Sequence, residues 1–507
     1  MDELIPLGEG TLEQMPPGVR TPGYDRSKLT AGIVHIGLGN FHRAHQGWYL
    51  HRLMDMGRAH DWAIVGAGVR PQDTAQRQRL MAQDWLTTLV ELDPSGASAE
   101  ITGSMIDFVP VEEENGPLIA RMADPDIRIV SLTVTEGGYY IDPATGGFDA
   151  THPDIVHDIA NPQTPRTAFG AMVAALELRR ARGVGPFTGL CCDNLQANGA
   201  ILRRAVVSLA GASDPALAGW IDAHCTFPNS MVDCIVPATG PKELALARRF
   251  GIDDAAPVTH ESFRQWVIED RFCAGRPDWD AVGATFSDRV HDHEAMKLRI
   301  LNGGHQMISV PADLLGIDTI SDAMAHDGIN TLLRRTIAEE VAPCVTPVPG
   351  MAPLAYLDLI ERRFSNPEII DTTRRVAFDG SSRQPGFIIP SIRDALSRGI
   401  GVDGLALVSA LWMRYCLGER EDGSAIEPND PNWRDLHDAA RAAIDDPLIW
   451  LRQSRYYGDL ATETRFASSF GGWAAVLAKD GVAGALRAFA GERLQPSAAN
   501  AAKRLSR

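Results

Sequence analysis

The chain has 507 residues, of which 45% are hydrophobic and 22% are charged, and its formal net charge is −17 at pH 7. This composition excludes collagenous, disordered and disulfide-stapled classes, and the negative charge argues against a nucleic-acid or anionic-membrane binder, since such proteins need a positive field. Because a single hydrophobic core stops growing well below this length, we expect two domains. The acidic composition fits an enzyme that acts on small molecules.

The cysteines indicate a reducing compartment. Seven are spread along the chain, and none forms a CxxC pair with metal-ligand spacing. The first residues, MDELIPLGEG, are acidic and have no apolar signal region, and no run approaches the roughly 18 apolar residues of a membrane span. We therefore expect a soluble cytoplasmic protein with reduced thiols.

The first elements in chain order predict a βαβ unit. Residues 1–28 are rich in Pro and Gly and are predicted to form an arm that lies over the first domain. Ala31 to Gly39 is a short apolar run that ends in glycines, and a helix-like segment, HQGWYLHRLMDMG, follows it. Trp62 to Val69 is a second candidate for a buried strand.

Three further strand candidates extend this pattern: Leu86 to Leu92, Ile127 to Thr135 and Phe187 to Cys192. Helix-like segments such as Thr167 to Arg182 separate them. Strands that alternate with helices in this way predict an α/β domain with a parallel sheet covered by helices.

The hydrophobic pattern changes in the second part of the chain, which has long segments with a helical period and few strand-like runs. These segments are His291 to Leu315, Asn330 to Val341, Leu354 to Arg363, Val402 to Leu417 and Trp433 to Ile444. The junction is placed between Asp278 and Arg289. We therefore predict an α/β domain over residues 29–288 and a mainly α-helical domain over residues 289–507.

Gly37-Leu38-Gly39 follows a predicted strand and precedes a predicted helix, as a dinucleotide-binding turn requires. The first glycine permits a tight turn, and the second lets backbone N–H groups approach a pyrophosphate. The third glycine of that fingerprint is missing, and His42 stands in its place. The spacing alone is compatible with a cofactor turn and with a purely structural strand-to-helix turn.

The loop Arg70-Pro71-Gln72-Asp73 follows the second strand, where a carboxylate binds the ribose hydroxyls of NAD and a basic group favours the extra phosphate of NADP. Asp73 is the candidate ribose ligand. Arg70 leaves NADP open, and a solvated turn with two charges is the alternative.

The segment HDHEAMKLRILNGGHQ, from His291 to Gln306, carries the candidate chemistry. On an ideal helix Glu294, Lys297, Asn302 and His305 fall within an arc of roughly 140°. Apolar residues share this arc, which is typical of a partly buried polar site. Because Lys297 and His305 are about 12 Å apart along an ideal axis, their convergence requires a bend, which we place at Gly303-Gly304.

Oxidation of a secondary alcohol needs a base for the hydroxyl proton, and Lys297 can serve if its surroundings lower the usual lysine pKa of about 10.4. Asn302, His305 and Asn194 can hold the oxygen as it gains negative charge. Taken singly, each of these residues also fits a structural role. No cluster of Cys and His completes a zinc site around His291 and His293, so we expect no metal.

Six motifs in this order resemble the polyol-specific long-chain dehydrogenase/reductase family, and the resemblance covers most of the chain. They are GLGNFHRAHQ (37–46), TVTEGGYY (133–140), CCDNLQANG (191–199), NSMVDCIVPAT (229–239), KLRILNGGH (297–305) and the pair RRFSNP and DGSSRQPGF (362–367, 379–387). The resemblance implies a Rossmann-type amino-terminal domain, a mainly helical carboxy-terminal domain and a site in the cleft between them.

The resemblance also implies an NAD-dependent, zinc-independent enzyme that interconverts a sugar alcohol of the mannitol, arabinitol or sorbitol type and its ketose. Lys297 would be the general acid/base, Asn194 and Asn302 would polarise the reacting oxygen, His305 would orient the substrate and Glu294 would help carry the proton to solvent. Substrate binding is assigned to Asp233, Arg375 and Arg383. Cofactor binding is assigned to Gly37, Gly39, Asn40, Phe41, Arg70, Asp73, Thr135 and Glu136.

Two other functions compete with this prediction. The same family includes enzymes for hexuronates and for sugar-alcohol phosphates, whose anionic ends need a cationic clamp. Arg374, Arg375 and Arg383 keep that possibility open. A catalytically silent NAD-binding regulator is the second alternative, but the Lys/Asn/His set would have no purpose in it. The sequence does not indicate the oligomeric state.

Overall fold

The computed structural model describes residues 4–141 and 147–491. The chain divides into two compact units, residues 1–291 and 292–507. The junction predicted from the sequence pattern, between Asp278 and Arg289, lies immediately before this division.

The first unit contains the strands. They are β1 (Ile5–Pro6), β2 (Ala31–Ile36), β3 (Ala63–Ala67), β4 (Thr87–Asp93), β5 (Gly96–Thr102), β6 (Met105–Phe108), β7 (Ile129–Leu132), β8 (Thr188–Cys191), β9 (Ser230–Asp233), β10 (Ile252–Asp253), β11 (Val258–Glu261), β12 (Gln265–Ile268) and β13 (Thr285–Phe286). Its helices are α1 (Asn40–Ala44), α2 (Gln46–Asp55), α3 (Asp73–Met81), α4 (Gly116–Met122), α5 (Pro153–Ala160), α6 (Ala168–Ala181), α7 (Asn198–Ser213), α8 (Pro215–His224) and α9 (Pro241–Arg249). Helix α10 (Val290–Met296) crosses the division between the units.

The central sheet of the first unit has the strand order β6-β3-β2-β7-β8, and all its pairs are parallel. Helices cover both faces of this sheet. Because successive residues of a strand point to opposite faces, each strand packs against both layers of helices. Ile33 packs in a cluster with Leu50 of α2, whereas its neighbour Val34 packs in a cluster with residues of α6 such as Ala171. The order is that of a dinucleotide-binding α/β sheet, so the predicted Rossmann-type fold is confirmed.

One predicted strand lies outside the central sheet. The segment Leu86 to Leu92 does form a strand, but β4 pairs antiparallel with β5 and parallel with β11 in a separate sheet. The reason is local: a two-residue connection, Pro94 and Ser95, folds β5 back onto β4. The outer strand β6 of the central sheet, MIDF, was not predicted, because four residues with one charge give too short an apolar pattern.

The amino-terminal arm is tied to the first unit. Strand β1 pairs with β10, and Leu7 is buried in a small cluster with Leu86, Ile101 and Ile252. Arg26 is 9% exposed and donates hydrogen bonds to three backbone carbonyls, those of Asp84, Gly103 and Met105. Strand pairing, the buried Leu7 and the hydrogen bonds of Arg26 therefore hold the arm on this unit.

The second unit is helical in its described part. Its α-helices are α11 (Gly303–Leu314), α12 (Ile320–Met324), α13 (Asp327–Thr336), α14 (Pro353–Phe364), α15 (Thr373–Val376), α16 (Gly380–Arg383), α17 (Ile389–Ser397), α18 (Asp403–Tyr415), α19 (Trp433–Ala442), α20 (Leu448–Leu451), α21 (Ser454–Tyr457) and α22 (Thr464–Phe489). Three segments are π-helical: Lys297–Asn302, Ile337–Val341 and Gln384–Ile388. Among the helices described, none combines the length and the apolarity needed to cross a bilayer.

Candidate active site

The glycine turn closes the carboxyl end of β2. Gly37 has a φ of +88°, and a β-carbon at this position would lie 2.2 Å from the main-chain oxygen of Thr133 at the end of β7. Gly39 has ordinary extended torsions, and a β-carbon there would meet no atom closer than 3.9 Å. The fold therefore requires glycine at position 37 only. The space beside Gly39 is what a pyrophosphate needs for close approach to the backbone.

His42, which replaces the third glycine of the fingerprint, is buried under the turn. Its ring stacks on that of His35 in β2, with centroids 3.4 Å apart and planes 17° from parallel. A third glycine normally allows close packing of helix on strand, whereas here the stacked imidazoles of His42 and His35 lie at this position. Burial lowers the pKa of His35 to about 3 and that of His42 well below its usual value, so both rings are neutral at pH 7.

The helix that follows the turn is interrupted. Helix α1 ends at Ala44, and the backbone breaks at His45 before α2 begins. The Asn40 amide donates to the carbonyl of Pro237 at 3.1 Å and to the Thr239 hydroxyl at 2.8 Å. The Asn40 side chain thus ties the turn to the NSMVDCIVPAT motif.

Asp73 shapes the loop after β3. It begins α3, and its carboxylate accepts a hydrogen bond from the backbone N–H of Arg70 at 3.0 Å. A β-carbon on Gly68 would lie 2.3 Å from the Asp73 side chain, so Gly68 allows this carboxylate to fold over the strand end. The Asp73 side chain is half-buried, whereas Arg70 is exposed.

Asp193, which the sequence reasoning missed, organises the neighbouring loop. Its carboxylate accepts hydrogen bonds from the backbone N–H groups of Val134 and Thr135, both at 3.0 Å, and from the Tyr139 hydroxyl at 2.6 Å. Thr135 is exposed with a φ of +68°, and the side chain of Glu136 lies outside the described part. The signal available in the sequence was the position of Asp193 beside Asn194 at a strand end.

Several predicted residues of the first unit lie at or near the ends of its strands. Asn194 is exposed in the loop that follows β8. Asn198 accepts a hydrogen bond from the Ser230 N–H at 2.9 Å and donates to the Ser230 carbonyl at 2.8 Å, which joins the CCDNLQANG segment to β9. Asp233, 4% exposed, ends β9. Phe41 is half-buried and stacks on His45 at 4.9 Å.

The predicted continuous helix from His291 to Leu315 consists of three parts. Helix α10 leads into the π-helical segment Lys297–Asn302, and α11 follows at Gly303. The bend predicted at Gly303-Gly304 is wrong in position, because Gly303 keeps helical torsions (φ −61°, ψ −43°) and the distortion precedes it. In a π-helix each hydrogen bond joins residues i and i+5, which lie nearly above one another. The angle between the side chains of Lys297 and Asn302 is therefore smaller than the 140° of an ideal α-helix.

The polar groups on this segment are buried. Lys297 is 6% exposed and Glu294, one turn earlier, is 5% exposed. Asn302 is half-buried, and its buried side-chain oxygen has no hydrogen-bond partner within the described residues. A buried amide oxygen without a partner is costly, so this atom is suited to accept a hydrogen bond from a bound hydroxyl.

His305 is neutral at pH 7. Burial, with the nearby guanidinium groups of Arg375, Arg363 and Arg383, lowers its pKa to about 4, although Asp371 opposes the shift. The ring stacks on Phe364, with centroids 4.2 Å apart. A neutral imidazole that is fixed in orientation can donate one hydrogen bond and accept another.

Two arginines proposed for a cationic clamp already have acidic partners. Arg375 donates to both carboxylate oxygens of Asp371, with Nε at 2.7 Å. Arg374 lies 3.7 Å from the buried carboxylate of Asp313. Arg383 is half-buried and donates to the carbonyl of Val376.

One group of side chains in the first unit has metal-ligand composition. His51 Nε2 lies 3.3 Å from Asp55 and 3.8 Å from Glu100. Arg52 pairs with Glu100 at 3.0 Å, and the hydroxyl of Tyr24 contacts His51 Nδ1 at 2.8 Å. Because Arg20 and Arg52 already pair with Glu100, and Tyr24 of the arm contacts His51, we interpret this group as a polar cluster that anchors the arm.

Comparisons with known proteins extend over both units. The family described as the mannitol dehydrogenase Rossmann domain matches residues 31–281, and the mannitol dehydrogenase C-terminal domain matches residues 289–472. Mannitol 2-dehydrogenase of Cereibacter sphaeroides is 56% identical over 475 residues, which cover 94% of this chain and 99% of that protein. Mannitol 2-dehydrogenase of Pyricularia oryzae is 39% identical over 483 residues, which cover 94% and 96%.

Two solved structures have the same fold. Pseudomonas fluorescens mannitol 2-dehydrogenase, in a ternary complex with NAD and D-mannitol, has a TM-score of 0.87 and 38% identity, covering 96% of this chain and all of that one. A D-sorbitol dehydrogenase in substrate-free form has a TM-score of 0.86 and 34% identity, covering 95% of this chain and all of that one. The family predicted from the six motifs is confirmed: the chain belongs to the mannitol dehydrogenase family.

Proposed function

We propose that this protein is an NAD-dependent polyol dehydrogenase that interconverts a sugar alcohol and its ketose, with Lys297 as the general acid/base. The observation that carries the proposal is the buried Lys297 on a π-helical turn that also bears Asn302. Its relatives of known structure include a mannitol 2-dehydrogenase complex with NAD and D-mannitol.

NAD fits the residues of the first unit. The open space beside Gly39 suits the pyrophosphate, and the Asp73 carboxylate, at the start of α3, suits the ribose hydroxyls. When bound, NAD accepts a hydride from the alcohol carbon. The loop that Asp193 holds, with Thr135, completes the strand ends where ligands bind in sheets of this order.

Lys297 removes the hydroxyl proton of the polyol and returns it in ketose reduction. In this role the neutral amine accepts the alcohol proton, and the ammonium donates it in the reverse reaction. Asn302 and Asn194 hold the reacting oxygen as its negative charge grows. His305, neutral and stacked on Phe364, orients the substrate through hydrogen bonds, and Glu294 passes the proton toward solvent.

An uncharged polyol is a better substrate than a hexuronate for this arrangement. A substrate carboxylate needs a free guanidinium for bidentate binding. Arg375 is hydrogen-bonded to Asp371. Arg374 lies 3.7 Å from Asp313, a carboxylate that Arg420 also binds at 2.7 Å. We therefore propose sugar alcohols and ketoses as the substrate class. Asp233, Arg383 and the N–H groups of Arg375 that do not bind Asp371 would contact the distal hydroxyls.

A substrate panel tests the proposal. Mannitol, arabinitol and sorbitol with NAD, and fructose with NADH, should support turnover more efficiently than fructuronate or tagaturonate with NADH. Because Lys297 supplies the acid/base chemistry, a chelator should leave the activity unchanged. Cofactor binding without turnover on any of these substrates, or a chelator-sensitive activity that zinc restores, would contradict the proposal.

A further inference from the structure

Asp371 is buried and forms an ion pair with Arg375, one of the predicted substrate residues. Its side chain is 5% exposed, whereas that of its partner Arg375 is 62% exposed. Nε and one terminal nitrogen of Arg375 donate to the two carboxylate oxygens, in the bidentate geometry that makes such pairs strong. Asp371 therefore engages the Nε edge of the guanidinium.

The backbone fixes both members of this pair. The carbonyl of Asp371 accepts a hydrogen bond from the N–H of Ile320 at 2.9 Å. Thr372 caps α15 by accepting from the N–H of Arg375 at 3.2 Å. Asp371 directly precedes Thr372, the N-cap residue of α15, and Arg375 lies in the first turn. The two side chains are therefore four residues apart and meet on one face.

The pair lies within electrostatic reach of His305. Asp371 and Arg375 act on the His305 ring with opposite signs, and Arg363 and Arg383 add positive charge. Asp371 is the cause that raises the pKa of His305, against the three arginines that lower it. Loss of its charge would therefore make the electrostatic potential at His305 more positive.

We infer that Asp371 determines substrate specificity: by neutralising Arg375 and engaging its Nε edge, it weakens the binding of a carboxylate by that guanidinium and so selects uncharged polyols and ketoses over hexuronates. This inference rests on the proposed function, since it concerns the substrate class of the same site. Asp371 acts as a positioning residue, through Arg375, and not by touching the reacting atoms.

The test measures kcat/KM of the full-length chain for fructose and for fructuronate, both with NADH. Since a hydrogen bond to a charged group contributes about 1.5–3 kcal/mol and each 1.4 kcal/mol is tenfold, Asp371→Asn should raise the fructuronate-to-fructose ratio by about tenfold or more. Asp371→Glu, which keeps the charge, should leave that ratio near the wild-type value. In an Arg375→Gln background, Asp371→Asn should have no further effect on the ratio.

Controls separate this inference from folding and from the proposed function. Glu339→Gln removes an exposed pair with the same spacing, Arg335 and Glu339, and should leave the ratio unchanged. A folded Asp371→Asn variant that reduces fructose with wild-type discrimination would overturn the inference alone. If that variant does not fold, Arg375→Gln decides. Because a guanidinium held by Asp371 contributes little to binding the substrate carboxylate, Arg375→Gln should not lower the fructuronate-to-fructose ratio, and a fall of about tenfold would overturn the inference. A wild-type chain that turns over no polyol or ketose would instead overturn the proposed function.

Discussion

The hydroxyl of Thr133 donates a hydrogen bond to the carbonyl of Gly37 at 2.8 Å, which joins the carboxyl ends of β7 and β2. These two strands are neighbours at the point where the order of the central sheet reverses. Ligands bind at such switch points in open α/β sheets. The contact leaves no room for a side chain at position 37 but leaves open space at position 39.

Alanine at these two glycines should therefore have different effects. Gly37→Ala should destabilise the first unit, because its β-carbon would overlap the Thr133 carbonyl and its φ is positive. Gly39→Ala should keep the wild-type melting temperature and weaken NAD binding by about tenfold or more, if a pyrophosphate approaches the backbone there.

Thermal unfolding and NAD titration of the full-length variants measure both effects. Gly211→Ala is the matched control, since a β-carbon in α7 would make only an ordinary 3.6 Å contact with Ala218. Undiminished NAD affinity in Gly39→Ala would place the pyrophosphate elsewhere.

Lys297→Ala should reduce turnover by roughly 10² to 10⁴ while largely retaining NAD affinity, because it removes proton transfer and no nucleotide contact. Steady-state kinetics and NAD titration check this expectation. Lys479→Ala is the control, since Lys479 is 78% exposed on α22. Loss of NAD binding with normal turnover at saturating cofactor would contradict the acid/base role.

Asp73→Asn should weaken NAD binding and reduce the preference for NAD over NADP by about tenfold, because a carboxylate binds ribose hydroxyls and repels an added phosphate. Asparagine can still accept the hydrogen bond from Arg70, so the loop should keep its conformation. Comparing kcat/KM for the two cofactors measures the effect. Glu113→Gln, at an 85% exposed position, is the control, and an unchanged preference in Asp73→Asn would exclude Asp73 as the ribose ligand.

Acid should destabilise the first unit through His35. Its folded pKa is about 3, below the ordinary 6.5, so between these pH values the unfolded chain binds a proton that the folded chain does not. The free energy of unfolding should therefore fall as pH decreases from about 6.5 toward 3. His35→Gln should flatten this dependence in denaturant titrations across that range. His224→Gln, at an exposed position, should not, and an equal slope in wild type and His35→Gln would exclude His35 as the source.

The sequence alone indicated the α/β and helical halves, because buried strands and amphipathic helices have different hydrophobic periods. It also indicated the family, because six motifs stand in one order. The polar residues Glu294, Lys297, Asn302 and His305 were found together because they share one short helical segment.

Only the tertiary structure decided which strands pair. β4, like β3, was predicted as a strand from its apolar residues, but it pairs with β5 and β11 outside the central sheet. The π-helical turn at Lys297, the three hydrogen bonds accepted by Asp193 and the ion pair of Asp371 with Arg375 also became visible only in the structure. Hydrophobic periodicity records which side of an element is buried. The partners of a polar group depend on which distant elements pack against it, and local sequence carries no measure of that.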